Sequence, residues 1–265
     1  MTKFILAMAA LLMLGSATAN ADEAATKLME ESHQAYYYAG DGGSAKVDMV
    51  LTDKKGGTRE RQFWMLRKDV EDMGDQRYYI YFIKPADVQR MSFVVHKNAE
   101  GNDDRWLYVP ALDLVRRIAA DDRRSSFVGS DFTYEDVSGR LPVLDNSEIL
   151  GPDTAMGRQA TKVKNTPKDA KTADYQYRIT WVDDATKLPL KEEYYDKKGE
   201  LVRRFEIGKI EEIEGFPTAT VRTMYDLKKN QNTSISFTNV SYKTTLNADD
   251  FNERLLKNPP AEYTR

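Results

Sequence analysis

From Ala45 onward the chain repeats one unit, a short alternating segment closed by a turn signal, and that repetition confines it to an antiparallel β architecture. Ala45, Val47, Met49 and Leu51 alternate with polar residues, Gly56-Gly57 turns, and Arg61 to Lys68 returns as a hairpin partner. Arg77 to Lys84, Met91 to Lys97 and Trp106 to Val109 follow, with a turn at Pro110 to Asp113. Beyond a less regular stretch, Ser125 to Gly139, with room for a bulge or short helix, come Thr161 to Lys164, Tyr175 to Val182, Leu188 to Tyr195, Leu201 to Ile207, Thr218 to Tyr225 and Ser234 to Tyr242. Turn signals such as Asp196 to Gly199 and Lys228 to Asn232 separate them. Ten or more such strands predict a mainly β fold, a curved antiparallel sheet forming a barrel or half-barrel with flanking helices.

Two helices are expected at the ends. Asp22 to Ala39 places Ala25, Leu28, Met29, Ser32, Ala35 and Tyr36 at three- and four-residue spacings, ended by the Gly40 to Gly43 region. Asn247-Ala-Asp-Asp-Phe251 predicts a capped short helix. Nothing divides the series, so residues 22–265 are read as one domain, with Asn165 to Asp174 as a long surface loop.

Most later strands show one dry face: Tyr175, Tyr177, Ile179 and Trp181 share a parity against Gln176, Arg178 and Thr180. Three earlier ones show two. In Phe63 to Leu66, Tyr78 to Ile83 and Trp106 to Val109 both parities are apolar, so one face must line the interior and the other lie under a helix or loop. Which parity looks inward, and whether the interior is filled or hollow, is not decided by the pattern.

The N-terminus reads as a secretory signal peptide, with Lys3, an apolar run from Phe4 to Leu14, and the A-x-A site Ala19-Asn20-Ala21. Cleavage after residue 21 leaves 244 of the 265 residues and, with Lys3 gone, moves the formal charge from −3 to −4. That balance excludes strong general nucleic-acid binding. Cysteine is absent, so the fold has no disulfides, thiolate metal sites or lipid-modified cysteine.

Catalytic signals are scarce. The only histidines, His33 and His96, are far apart, and no G-x-S-x-G, H-E-x-x-H, phosphate-loop or dinucleotide pattern occurs. The carboxylate pairs Asp103-Asp104, Asp121-Asp122, Asp183-Asp184 and Glu192-Glu193 fall beside turns or on strands, where neighbours point to opposite faces. No enzyme, cofactor or metal role is expected.

What the chain does carry is adaptable apolar surface. Met49, Phe63, Met65, Tyr79, Tyr81, Phe93, Trp106, Tyr108, Phe127 and Phe132 are the candidates for a cavity holding acyl chains, although a filled barrel core uses the same residue types. Arg116, Arg117, Arg123 and Arg124 are the candidates for an anionic headgroup or an acidic partner surface.

The runs WLYVPALDLVRRI, RRSSFVGSDFTYEDVSGR, LPLKEEYYDKKGEL, IEGFPTATVRTMYD and ISFTNVSYKTTLNADDFNERLL resemble the periplasmic outer-membrane lipoprotein-sorting proteins related to the carrier LolA, most strongly from Tyr81 to Leu256. The resemblance implies a half-open β-barrel with a helical lid and an apolar cavity for the acyl chains of a lipid or lipoprotein. It further implies a periplasmic carrier in transient contact with membranes. The stretch from Phe127 to Gly139 resembles a branch linked to RND-type inner-membrane exporters. A periplasmic adaptor of such an exporter that transfers nothing is the alternative.

Overall fold

The computed structural model describes residues 22–243 and 246–264, the side chains of 120 and 121 excepted. The signal-peptide reading at 1–21 lies outside the described residues. The first helix, α1, spans residues 22–37. The chain then enters β1 (Gly42–Thr52), β2 (Thr58–Asp69), β3 (Gln76–Lys84), β4 (Ser92–Lys97), β5 (Asp104–Val109) and β6 (Leu114–Ile118). Each strand pairs antiparallel with the one before it, so the sheet grows outward from β1.

Residues 119–144 leave this edge and cross to the opposite one. They carry a short α2 (Tyr134–Ser138), held by a capping box in which Thr133 Oγ1 accepts from Asp136 N at 3.1 Å and Asp136 accepts from Thr133 N at 2.7 Å. From the far edge β7 (Asp145–Ala155), β8 (Arg158–Pro167), β9 (Tyr177–Asp183), β10 (Pro189–Tyr195), β11 (Leu201–Ile213), β12 (Phe216–Asp226) and β13 (Gln231–Ser241) return inward until β13 pairs with β1. The result is one 13-stranded antiparallel sheet with β6 and β7 at its two edges. It is strongly curved and open, a half-barrel whose gap is bridged by the crossover. α3 (Glu253–Lys257) follows the capped turn at Ala248–Asp250.

Burial separates the two sides of the sheet. The concave side gathers Val47, Met49, Phe63, Tyr78, Ile80, Phe82, Phe93, Phe205, Met224 and Ile235 together with Phe127, Phe132 and Tyr134 of the crossover. The convex side of β2 to β5 is dry as well, because Leu66, Tyr79, Tyr81 and Val94 lie under Phe251, Leu255, Leu256 and Tyr263 of the C-terminal segment. That segment answers the need of the two-sided strands for a second cover: Leu107 packs toward the concave core, Trp106 and Tyr108 toward the convex one.

Two readings of the sequence need correction. The sheet contains β7, which the alternation pattern does not reveal, since most of its residues are exposed on both sides. And residues 165–174 are not all loop: β8 continues to Pro167 and a single 3₁₀ turn occupies Ala170–Thr172.

Candidate functional site

α1 lies in the mouth of the half-barrel. Its inward stripe, Met29, Ser32, His33, Tyr36 and Tyr37, follows the three- and four-residue spacing of one helical face. One turn earlier, Ala25 and Met29 pack on Val163 of β8 and Val182 of β9. Across from it the crossover inserts Phe127, 1% exposed, into a ring of Phe63, Phe82, Phe93 and Tyr134 with centroids 5.5 to 6.4 Å away. Between sheet, α1 and crossover remains a cavity of about 110 Å³. That is room for several waters and well below the roughly 300–1,000 Å³ of ordinary ligand pockets.

The cavity has two unlike halves. Val47 and Met49 on β1, Phe63 and Met65 on β2, Ile80 on β3, and Ile235 and Phe237 on β13 give one half an apolar wall, closed by Phe127 and Phe132. The other half is charged. Arg178 of β9 reaches Glu192 of β10 at 3.1 Å and Asp145 of β7 at 3.5 Å. Arg140 holds Asp145 at 2.8 Å, and Arg203 of β11 ties down Asp136 of α2 at 2.6 Å. Glu135 sits between Arg123 at 3.2 Å and Arg140 at 3.7 Å. Burial pushes the Glu135 carboxyl up, and the Arg140 and Arg123 charges offset only part of that. Burial likewise raises the Tyr36 hydroxyl to about 12, against the pull of nearby Arg222.

The charged half exists because β9 turns its polar parity inward. Arg178, Thr180 and Val182 face the cavity side, whereas Ile179 and Trp181 form a convex cluster with Leu190 and Ala160. Lys162 and Lys191 lie over the Trp181 ring at 5.4 and 4.3 Å, and Lys164 over Tyr177 at 5.0 Å. Their stems shield the aromatic row from water.

Of the ten acyl-cavity candidates, Met49, Phe63, Met65, Phe127 and Phe132 line the cavity, and Phe93 lies in the same concave core behind Phe127. Tyr79, Tyr81, Trp106 and Tyr108 do not: they have the opposite parity and pack beneath the C-terminal segment. Residues absent from the candidate list also line it, notably Ile80, Tyr175, Arg178, Arg203 and Arg222. Ile80 was legible as the alternative parity of its strand.

The four arginine candidates do not form one patch. Arg116 and Arg117 are exposed on edge strand β6, with Arg117 paired to Asp104. Arg123 and Arg124 belong to the crossover, where Arg123 meets Glu135 and the Thr172 carbonyl and Arg124 donates to the Lys171 carbonyl at 2.7 Å. Among the described residues no group of three His, Cys, Asp or Glu side chains is arranged to hold a metal ion, and no helix is long and apolar enough to cross a membrane.

No curated protein matches the chain. Solved structures do. A domain assigned as an outer membrane lipoprotein-sorting protein from Vibrio parahaemolyticus superposes with a TM-score of 0.82 at 25% identity, covering 89% of this chain and 99% of that one. A DUF1329 family protein from Desulfovibrio piger gives 0.82 at 28% identity over 89% and 99% of the two chains. A LolA superfamily protein from Nitrosomonas europaea, 17% identical, shares the fold at a TM-score of 0.66 over 87% and 98%. A family model described only as an uncharacterized protein matches residues 74–258, most of the chain. The chain belongs to that family, and its half-open barrel is that of the LolA-like outer-membrane lipoprotein-sorting proteins.

Proposed function

We propose that this protein is a non-enzymatic periplasmic carrier that takes the acyl chains of a lipid or lipoprotein into the half-barrel and moves them between inner and outer membrane. The observation that carries the reading is the apolar wall from β13 through β1 to β3, closed by two separate pieces, α1 and the crossover, neither of which is a strand of the sheet. The likeness to a lipoprotein-sorting domain at 25% identity supports it. The resting cavity is too small for a long chain, so loading displaces α1 or Phe127 while the sheet stays intact.

The energetics make a carrier necessary for such cargo. Covering acyl chain is worth about 0.8 kcal/mol per CH₂, so a chain of roughly 15 carbons costs on the order of 10 kcal/mol to hold in water. An inner-membrane exporter of the RND type is the proposed donor or acceptor, with transient membrane contact during transfer. The small cavity favours a second reading, an exporter adaptor that carries nothing.

One experiment separates them. Protein purified from its native periplasm is extracted with organic solvent and the extract analysed by mass spectrometry, alongside a fluorescent fatty-acid titration. Near-stoichiometric lipid or saturable probe binding supports the carrier; the absence of both leaves the adaptor.

A further inference from the structure

Among the guanidinium groups of the cavity wall, Arg222 of β12 stands apart. Arg140, Arg178 and Arg203 each have a carboxylate partner, whereas among the described residues no carboxylate lies within ion-pair distance of Arg222. Its Nε donates to the Ala219 carbonyl at 3.1 Å. The guanidinium is clamped between two rings, 4.4 Å from the Tyr36 centroid on α1 and 4.3 Å from Phe237 on β13. Its strand neighbours are Ile207 of β11 and Ile235 of β13, so it stands where the apolar wall meets the charged half. Arg124, the other cavity cation without a carboxylate, faces the Lys171 carbonyl on the crossover instead.

A second observation points the same way. Tyr175 and Arg178 both line the same cavity, and the buried Tyr175 hydroxyl and Arg178 Nε have no hydrogen-bond partner among the described residues. Buried donors without acceptors cost free energy that an incoming acceptor recovers. A half-apolar cavity with spare donors at its polar end matches an amphiphile with acceptor oxygens on its head.

We infer that Arg222 binds the anionic headgroup, carboxylate or phosphate, of the molecule whose chain lies along β1 to β3. Planar guanidinium suits either oxyanion. The clamp fixes the arginine while Tyr36 links it to α1, so headgroup capture and lid position are coupled through one contact. This rests on the carrier reading and adds to it a preference for anionic over neutral amphiphiles.

The test compares 11-(dansylamino)undecanoic acid with its methyl ester on the wild-type protein, Arg222→Met and Arg222→Lys, with thermal melts to establish folding. Wild type should prefer the acid by roughly 10- to 100-fold, the span expected for charged hydrogen bonds. Arg222→Met should bring the ratio near one, and Arg222→Lys should keep much of it. An unchanged ratio in folded Arg222→Met overturns the headgroup assignment and leaves the carrier standing. Failure of both probes to bind wild type overturns the carrier reading and this inference with it. In a third arm, inorganic phosphate that binds wild type as tightly as the acid does, with no binding of the methyl ester, would show that the chain adds nothing, mark a site for a free anion and overturn the headgroup assignment.

Discussion

The Lys97 ammonium, fully buried at the end of β4, lies 3.3 Å from His33 Nε2 on α1 and donates to the Ser138 carbonyl of α2 at 2.7 Å. One side chain therefore joins the sheet to both pieces that close the cavity. Burial, then the Lys97 charge and then Arg178 hold the His33 imidazole well below its ordinary range, so it accepts from Lys97 as a neutral ring. Burial lowers Lys97 to about 8, against the opposing charges of Asp103 and Asp69 and with a smaller contribution from Arg67 and Arg105.

The pH dependence follows from these directions. Below about 6.5 an unfolded His33 takes a proton that the folded one refuses, so stability falls as pH drops through that value, by at most about 1.4 kcal/mol per pH unit. Between about 8 and 10.5 the unfolded Lys97 keeps a proton the folded one has lost, and stability rises with pH. Thermal melts from pH 7 to 5 should show a clear decline that is shallower in His33→Gln. Identical slopes in the two proteins would mean that other groups set the acid response.

The two faces of β3 predict opposite phenotypes. Ile80 lines the cavity, and Tyr81 sits under Leu255, Leu256 and Tyr263. An aspartate at 80 can draw water from the cavity, whereas one at 81 is a buried charge without a partner, costing several kcal/mol. Ile80→Asp should stay folded with a modestly lower melting temperature and lose fatty-acid binding. Tyr81→Asp should melt far lower. Equal destabilisation, with no probe bound by wild type, would describe a solid barrel.

Most of the strands and the need for a second cover were legible in the sequence because alternation and turns are local signals, whereas the pairing of β13 with β1 was not. Trp106 and Leu107 announced opposite faces, and both are covered. What was not legible depends on partners distant in sequence. Tyr79 and Tyr81 look as fit for a cavity as Tyr78 and Ile80 until the C-terminal segment claims their face. Arg178 reads as solvent-facing until register places it beside Glu192 and Asp145, and Trp181 reads as core until lysine stems cover it from outside. β7, with Gly151-Pro152 in its middle, carries no alternation because an edge strand with two wet faces requires none.

Gly139, at the end of α2, tests the seam between the two closing pieces. Its φ is +82°, and an added Cβ would come within 2.8 Å of the Tyr37 ring and 3.0 Å of the His33 ring. Gly139→Ala therefore strains the backbone and pushes α1 from α2, at a cost of about 1–3 kcal/mol. Stopped-flow mixing with a fluorescent fatty acid should show faster uptake despite the lower melting temperature. Slower or unchanged uptake would mean that this seam does not gate the cavity.

The arginine pairs are separable by the same logic of partners. Arg116 and Arg117 lie exposed on the edge strand, and the Arg117–Asp104 contact is a surface pair of the kind worth under about 1 kcal/mol. Arg123 instead shares the half-buried Glu135 with Arg140 and anchors the crossover to the Thr172 carbonyl. Reversing Arg116 and Arg117 to glutamate should leave the melting temperature nearly unchanged, and reversing Arg123 should lower it strongly, because two carboxylates then meet in a poorly solvated place. If the edge arginines contact anionic membranes, vesicle sedimentation with anionic lipid should weaken in the Arg116→Glu/Arg117→Glu protein and fade with salt in wild type over the range where the Debye length shrinks below about 10 Å. Unaltered sedimentation at every salt concentration would reduce that pair to a solvated edge.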